Sequence, residues 1–220
     1  MILAAGRGER LLPLTASIPK PLLEIGGESL LERHLHRLRN AGFDDIVVNV
    51  SHLSEQIEAR IGDGRRFGVR IAYSREPGEP LETAGGIVAA LPLLGPLPFL
   101  VINADIWTDY PLDRLTLAPS LAHLVLVPNP PHHSGGDFDL DGSRLVRRHA
   151  HAATYAGIGV YNPAFFADLL PGRRALGPLL FDCATKGLLS GELFLGRWFD
   201  IGTRARLEEA IRQVTEASSA

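Results

Sequence analysis

The sequence contains only two lysines, Lys20 and Lys186, against a background rich in arginine. Lys20 stands between Pro19 and Pro21, which fix the backbone on both sides. An ammonium presented so rigidly can act as a point charge on a phosphate, although a solvated lysine in a turn is the plainer alternative. Upstream lies Ala5-Gly6-Arg7-Gly8-Glu9-Arg10. Its glycines let the backbone approach a ligand and turn N–H groups toward an anion. This is not a dinucleotide fingerprint, because Leu11 stands where the third glycine belongs, and no Gly-Lys-Ser/Thr follows to make a P-loop. A simple strand-to-helix turn stays open as a reading. Two carboxylates complete the set. Asp105 follows a short apolar run, and Asp200 precedes a helical pattern. Magnesium takes one or two protein carboxylates and fills its octahedron with substrate phosphates and water. Asp109 competes with Asp105 but lies further from the apolar run. The plainer readings are a turn former at Asp105 and a helix-start residue favouring the dipole at Asp200.

Other reactive types are less organised. His132-His133 and His149-x-His151 are close in sequence, yet no cysteine or glutamate accompanies them at zinc spacing. Loop histidines touching a ligand fit better. No nucleophile elbow or Ser/His/Asp order supports a hydrolase. Cys183 falls in an apolar helical stretch with no histidine near it in sequence, and reads as a small buried residue.

These residues need a scaffold, and the first half of the chain alternates strand and helix patterns. Strands are expected at Ile2 to Ala5, Ile46 to Val50, Val69 to Tyr73 and Phe99 to Ile102. Ser29-Leu30-Leu31-Glu32 has capping-box spacing and opens a helix with Leu31, Leu35 and Leu38 on one face, stopping near Gly42. Ser54 is expected to cap a helix through Ile57 and Ile61, and Thr83 to begin one reaching Leu91. The second half is less regular. Leu121 to Val127 and Tyr155 to Tyr161 read as strands, and Asp137 to Arg147 as a hairpin turning at Asp141-Gly142. Leu176 to Leu189 reads as helical. A last helix from about Thr203 carries Leu207, Ile211 and Val214, with a frayed tail from Thr215 to Ala220. Alternating βαβ units argue for an α/β fold, a Rossmann-like mainly parallel (mixed) sheet with helices on both faces. In such sheets ligands sit at the carboxyl ends of strands, where the loop after the first strand and the segment from Asn103 to Asp109 both fall.

Composition is compatible with this scaffold. A chain of 220 residues with 45% hydrophobic and 21% charged residues can bury one substantial core. We expect a single domain over residues 1–220, with a nucleotide-binding part over about 1–110 and a sugar-binding part over about 111–200. A net charge of −3 argues against general affinity for nucleic acid or anionic membrane. One cysteine suits a reducing compartment, no signal-type segment opens the sequence, and no apolar run reaches the ~18 residues of a membrane span. A cytoplasmic protein, a monomer or weak dimer, is expected.

Taken together, Leu3-Ala4-Ala5-Gly6-Arg7-Gly8-Glu9-Arg10-Leu11-x-Pro13-Leu14-Thr15, Pro19-Lys20-Pro21-Leu22 and Gly26-Gly27 resemble the signature of the sugar-phosphate nucleotidyltransferases. Asp105 and Asp200-Ile201-Gly202-Thr203 extend the likeness over almost the whole chain. Within the family it is closest to the branch acting on N-acetylmuramic acid 1-phosphate. The segments Gly78 to Ile87, Asp105 to Tyr110 and Pro128 to Phe138 carry that likeness. The resemblance implies a nucleotide-diphospho-sugar transferase fold. It also implies uridylyl transfer from UTP to the sugar 1-phosphate with loss of pyrophosphate, chemistry that is mostly positioning and charge stabilisation. Ala4, Ala5, Gly6, Arg7 and the catalytic Arg10 would then cradle the triphosphate. Lys20 would hold phosphates as a second catalytic cation. Glu82 and Gly86 would meet the nucleotide, Asn103 the nucleotide or sugar, and Asp137, Gly157 and Asp200 the acceptor. Asp105 and Asp200 would hold Mg2+.

Two departures stand out. Many relatives carry a Glu-Lys-Pro segment after the hairpin, where this chain reads Arg147-Arg148-His149-Ala150-His151. An arginine such as Arg147 is the candidate replacement for its sugar-phosphate contact. Ala104 also replaces a frequent glycine before the metal aspartate. Alternatives are another sugar 1-phosphate (glucose, mannose or N-acetylglucosamine), a non-sugar phosphate acceptor, or a non-catalytic nucleotide-sugar-binding subunit. Joint retention of Arg10, Lys20, Asp105 and Asp200 argues against the last.

Overall fold

A computed structural model describes residues 1–78, 80–117, 119–147 and 151–218. Glu79, Ala118, Arg148, His149, Ala150 and the last two residues of the tail lie outside the described residues. In chain order the longer elements begin with β1 (Ile2–Leu3), β2 (Glu24–Ile25), β3 (Glu28–Ser29), α1 (Leu30–Asn40), β4 (Asp45–Val50), α2 (Ser54–Ile61) and β5 (Arg70–Arg75). They continue with α3 (Glu82–Leu94), β6 (Phe99–Asn103), β7 (Ile106–Thr108), β8 (Ala122–Val127), β9 (Asp139–Asp141), β10 (Arg144–Val146) and β11 (Thr154–Tyr161). The last are α4 (Gly177–Thr185), β12 (Leu189–Leu193), β13 (Trp198–Asp200) and α5 (Arg204–Ser218). The α/β class and mixed sheet expected from the sequence are found. Among the described residues no helix is long and apolar enough to cross a membrane.

The chain divides into two compact units. The loop-bearing unit comprises residues 2–80, 103–113 and 197–220. Its strands run in the order β5-β4-β1, all parallel, with Ile2 opposite Val48 and Ile46 opposite Ile71. The α1 helix starts as its sequence requires. Ser29 Oγ accepts from Glu32 N at 3.2 Å, and Ser29 N donates back to the Glu32 carboxylate at 3.2 Å, a complete capping box contributing about 1 kcal/mol. The helix buries Leu31, Leu35 and Leu38. One core cluster joins Leu11 of the first loop, Leu23 after Lys20, Trp107 of β7, Ile201 after β13 and Leu207 of α5. Leu11, the residue that spoils the dinucleotide fingerprint, is thus a core anchor of its loop.

The other unit comprises Met1 and residues 81–102 and 114–196. Its strands follow the order β6-β11-β8-β12-β10-β9, with β8 and β12 parallel and the other neighbours antiparallel. The β9–β10 hairpin turns at Asp141-Gly142 as expected, Gly142 taking φ 62°.

Several elements differ from the sequence reading. Ser54 is the first helical residue of α2 and not its cap. Leu53 holds that place at φ 55°, because a tight turn closed by Ser54 N to Ser51 O (3.2 Å) starts the helix early. The stretch from Leu176 to Leu189 is not one helix. It ends at Thr185, Gly187 turns the chain at φ 70°, and Leu189 begins β12. On α5, Ile211 is 38% exposed, and Ala210 takes its place in the core. The three-residue strands β7 and β13, absent from the sequence reading, pair antiparallel with Asp200 opposite Ile106.

Candidate functional site

The first loop leaves β1 with its backbone already anchored. Ala4 is buried, and its N–H donates to Asn49 Oδ1 at 2.8 Å. Asn49 Nδ2 in turn donates to the buried Glu76 carboxylate at 2.6 Å. Sequence reasoning missed this pair. The available signal was a lone asparagine inside the apolar Ile46–Val50 strand, since a polar side chain buried there needs a partner. After Ala5, which is buried, Gly6 and Arg7 are exposed. Gly8 sits at φ 67°, and a Cβ on it would lie 2.9 Å from Thr15 and 3.3 Å from the Lys20 side chain, so only glycine fits this fold-back. Thr15 Oγ1 closes the loop onto Gly8 O at 2.8 Å. Arg10 is exposed on the short helical turn that follows.

Lys20 is no solvated turn residue. Its side chain is 11% exposed and its ammonium is ion-paired to Asp105. Asp105 follows β6, whose last residue is Asn103, and Ala104 N donates to Leu3 O at 3.0 Å. The backbone carbonyl of Asp105 accepts from Ile201 N at 2.8 Å, which draws in the β13 end and Asp200. Asp200 is ion-paired to Arg206 in the first turns of α5. The loop-bearing unit thus brings together Arg10, Lys20, Asp105 and Asp200. Asp109, the competing carboxylate, is instead committed to Arg197, accepting from its backbone N at 2.8 Å and its Nε at 3.0 Å.

The surroundings are cationic. His34, fully buried on α1, is held neutral with its pKa down to about 3, first by burial and then by Arg37 and Arg33. Burial likewise lowers Arg37 to about 10. Arg33 lies over the Trp107 ring, 4.3 Å from its centroid.

No group of three or more His, Cys, Asp or Glu side chains forms a metal cage among the described residues. Two hard carboxylates on neighbouring strand ends do suit magnesium, which completes its octahedron with phosphates and water. The donor set therefore fits a metal that comes with a phosphate ligand, and does not fit a structural zinc.

The other unit carries the remaining candidates. Glu82 opens α3 at φ 59°, a left-handed conformation costly for any residue but glycine, and its carboxylate accepts from Arg173 Nε at 2.8 Å. Gly86 is buried in the next turn of the helix. The N–H groups of Ala84 and Gly85 donate to Arg174 O at 3.0 and 3.1 Å, so these first donors of α3 are already taken. Asp137 accepts from Tyr155 N at 2.8 Å and pairs with His133 Nε2 at 3.1 Å. Gly157 takes φ 75° where the β11–β8 register shifts between Tyr155 and Gly159, a bulge of the kind that re-aims a strand beside a site. Arg147 stacks over Phe181, 4.2 Å from its centroid. Cys183 is only partly buried, and its thiol pKa is raised, mainly by desolvation.

A family model described as nucleotidyl transferase matches residues 1–123. The chain is 48% identical to N-acetylmuramate alpha-1-phosphate uridylyltransferase of Neisseria meningitidis serogroup B, over 96% of this chain and 95% of that protein. It is 34% identical to the protein of the same name from Caulobacter vibrioides, over 96% and 97%. A crystal structure of a glucose-1-phosphate thymidylyltransferase from Bacillus anthracis superposes with a TM-score of 0.86 at 21% identity, covering 96% of this chain and 93% of that one. That last likeness is one of fold. The chain belongs to the nucleotidyl transferase family.

Proposed function

We propose that this protein transfers a uridylyl group from UTP to N-acetylmuramic acid 1-phosphate, giving UDP-N-acetylmuramic acid and pyrophosphate, in the recycling of cell-wall sugar in the cytoplasm. The observation that carries this reading is the 48% identity, over nearly the full length of both chains, to a relative named for that reaction. The gathering of Lys20, Asp105 and Asp200 in one unit supports it.

In this reading the exposed backbone of Gly6 and Arg7, with Ala4 and Ala5 anchored behind it, receives the triphosphate. Arg10 and Lys20 bind its phosphates. Asp105 and Asp200 hold magnesium, which when bound neutralises charge on the reacting phosphates. The acceptor phosphate oxygen attacks the α-phosphorus and pyrophosphate leaves. Asn103 contacts nucleotide or sugar, Glu82 and Gly86 meet the nucleotide, and Asp137 and Gly157 meet the sugar. Arg147 takes the acceptor phosphate in place of the absent lysine. Pyrophosphate release across four triphosphates and the 1-phosphates of muramic, glucosamine, glucose and mannose sugars tests the reading. UTP with the muramic acceptor should give the highest kcat/KM. A preference for a hexose 1-phosphate would reject the acceptor and keep the reaction class.

A further inference from the structure

Both carboxylates assigned to magnesium are already occupied, each by its own cation of the same unit. Lys20 takes Asp105 and Arg206 takes Asp200. In each pair the cation is the more buried partner, at 11% against 34% exposed and 19% against 25%. The carboxylates therefore keep an accessible side while the cations hold them from within. Arg206 was not legible as a functional residue in the sequence. The corner Ile201-Gly202-Thr203 returns it to Asp200, and Gly202 leaves the space it needs. A Cβ at Gly202 would collide with one terminal nitrogen of Arg206 and lie 3.3 Å from one of Arg10. Two guanidinium heads thus converge on one glycine beside Asp200.

Asp105 and Asp200 are matched by Lys20 and Arg206, so the four side chains carry no net charge. A divalent cation arriving alone must compete with two resident cations for the same oxygens and lie close to both. A triphosphate reverses the balance. Its oxygens accept charge-assisted hydrogen bonds from Lys20 and from the paired heads of Arg10 and Arg206, which frees the carboxylates.

We infer that Lys20 and Arg206 are resident counter-ions that hold Asp105 and Asp200 against a free divalent cation, so that metal binds together with the triphosphate and not ahead of it. The inference rests on the metal role of Asp105 and Asp200 proposed above. Arg206 holds Asp200 in the nucleotide-free protein and turns to the triphosphate when nucleotide binds. Metal and nucleotide then raise each other's affinity by the same factor, as linkage requires.

The test is Mn2+ binding, followed by the electron paramagnetic resonance signal of free Mn2+ in titrations of the full chain. Each titration is run without nucleotide and with a non-hydrolysable UTP analogue, and corrected for Mn2+ held by the analogue itself. Wild type should bind Mn2+ at least ~10-fold more tightly with the analogue. Arg206→Ala should bind Mn2+ several-fold more tightly than wild type without nucleotide, and its coupling should shrink. Arg206→Lys should restore wild-type behaviour. Arg206→Gln, which keeps a hydrogen-bonding side chain of similar reach without charge, carries the same expectation should the alanine variant fail to fold. Equal affinity of wild type with and without the analogue would overturn the inference. So would weaker nucleotide-free binding in Arg206→Ala and Arg206→Gln, the result expected of a structural brace. Unchanged binding with the analogue in Asp200→Asn and Asp105→Asn would instead reject the metal reading beneath it, and the two failures are distinct.

Discussion

The two units hold their candidate residues by different means. In the loop-bearing unit Asp105 and Asp200 are each matched by a mostly buried cation, and the supporting chain is packed into one apolar cluster through Leu11, Leu23, Ile201 and Leu207. In the other unit the carboxylates are no more exposed as a group, Glu82 at 37% and Asp137 at 23%, but their partners are, Arg173 at 66% and His133 at 43%. A pair whose cation is mostly buried fixes geometry, because losing the carboxylate would leave that charge uncompensated. Exposed pairs contribute little and leave the side chain adjustable. The difference matches the division of labour proposed here. Under the proposed roles, phosphate chemistry draws on charges held in fixed places, and reading base and sugar draws on the more exposed pairs of the other unit.

Substitutions can break this contrast, and the largest effects belong to the loop-bearing unit. Asp105→Asn and Asp200→Asn should each lower kcat by ~10²-fold or more, the scale of losing one preorganised electrostatic element. Full turnover by either purified variant, or by wild type in excess EDTA, removes these carboxylates from the metal role. Lys20→Arg comes next. The longer forked head cannot occupy the Lys20 position between Pro19 and Pro21 without displacing Asp105, so kcat/KM should fall on the order of tenfold to a hundredfold with the melting temperature preserved. Unchanged kinetics in Lys20→Ala would return Lys20 to the status of a turn residue.

The other unit should respond in selectivity. His133 does not reach out as a free donor, because its ring is engaged with Asp137. His133→Ala should therefore loosen Asp137 and cut discrimination between muramic and glucosamine 1-phosphates by about tenfold, the scale of one charge-assisted hydrogen bond, with little change in KM for UTP. Competition kinetics with the two acceptors checks this. A larger change in UTP KM than in acceptor preference would place His133 on the nucleotide side.

The smallest expected effect is on stability and sharpens the contrast from outside the site. Glu32 pairs with Arg60 and Arg66 and bonds Ser29, and its pKa falls from 4.5 to about 2, with the Arg60 hydrogen bond as the largest cause. A carboxylate with a depressed folded pKa contributes stability above its unfolded value and loses it as pH falls toward the folded one. Wild type should therefore lose more unfolding free energy than Glu32→Gln between pH 5 and pH 2.5, by roughly 1–2 kcal/mol. Urea titrations at the two pH values measure it, and parallel losses in the two proteins would deny Glu32 this role.

Much of the loop-bearing unit was legible in the sequence because its constraints are local. The capping box at Ser29, the rigid Pro19-Lys20-Pro21 and the apolar run before Asp105 each announce themselves within a few residues. The joint motif then ties Lys20 to Asp105 across the chain. What escaped depends on distant partners. The strands β7 and β13 are three residues long, too short for a periodic signal, and exist because they pair with each other. Arg206 reaches Asp200 only through the corner at Gly202. The Asn49–Glu76 pair spans two strands. In the other unit, Glu82 could be named by likeness, but its left-handed backbone and its bond to Arg173, 91 residues away, left no local trace.

The product of the reaction decides between the acceptors. Purified protein, Mg2+ and UTP are incubated with equimolar N-acetylmuramic acid 1-phosphate and N-acetylglucosamine 1-phosphate, and the nucleotide sugars are resolved by mass spectrometry alongside pyrophosphate. UDP-N-acetylmuramic acid should be the dominant product, matched mole for mole by pyrophosphate and lost in Asp105→Asn. Dominance of UDP-N-acetylglucosamine, or the absence of any nucleotide sugar, would contradict the proposed reaction.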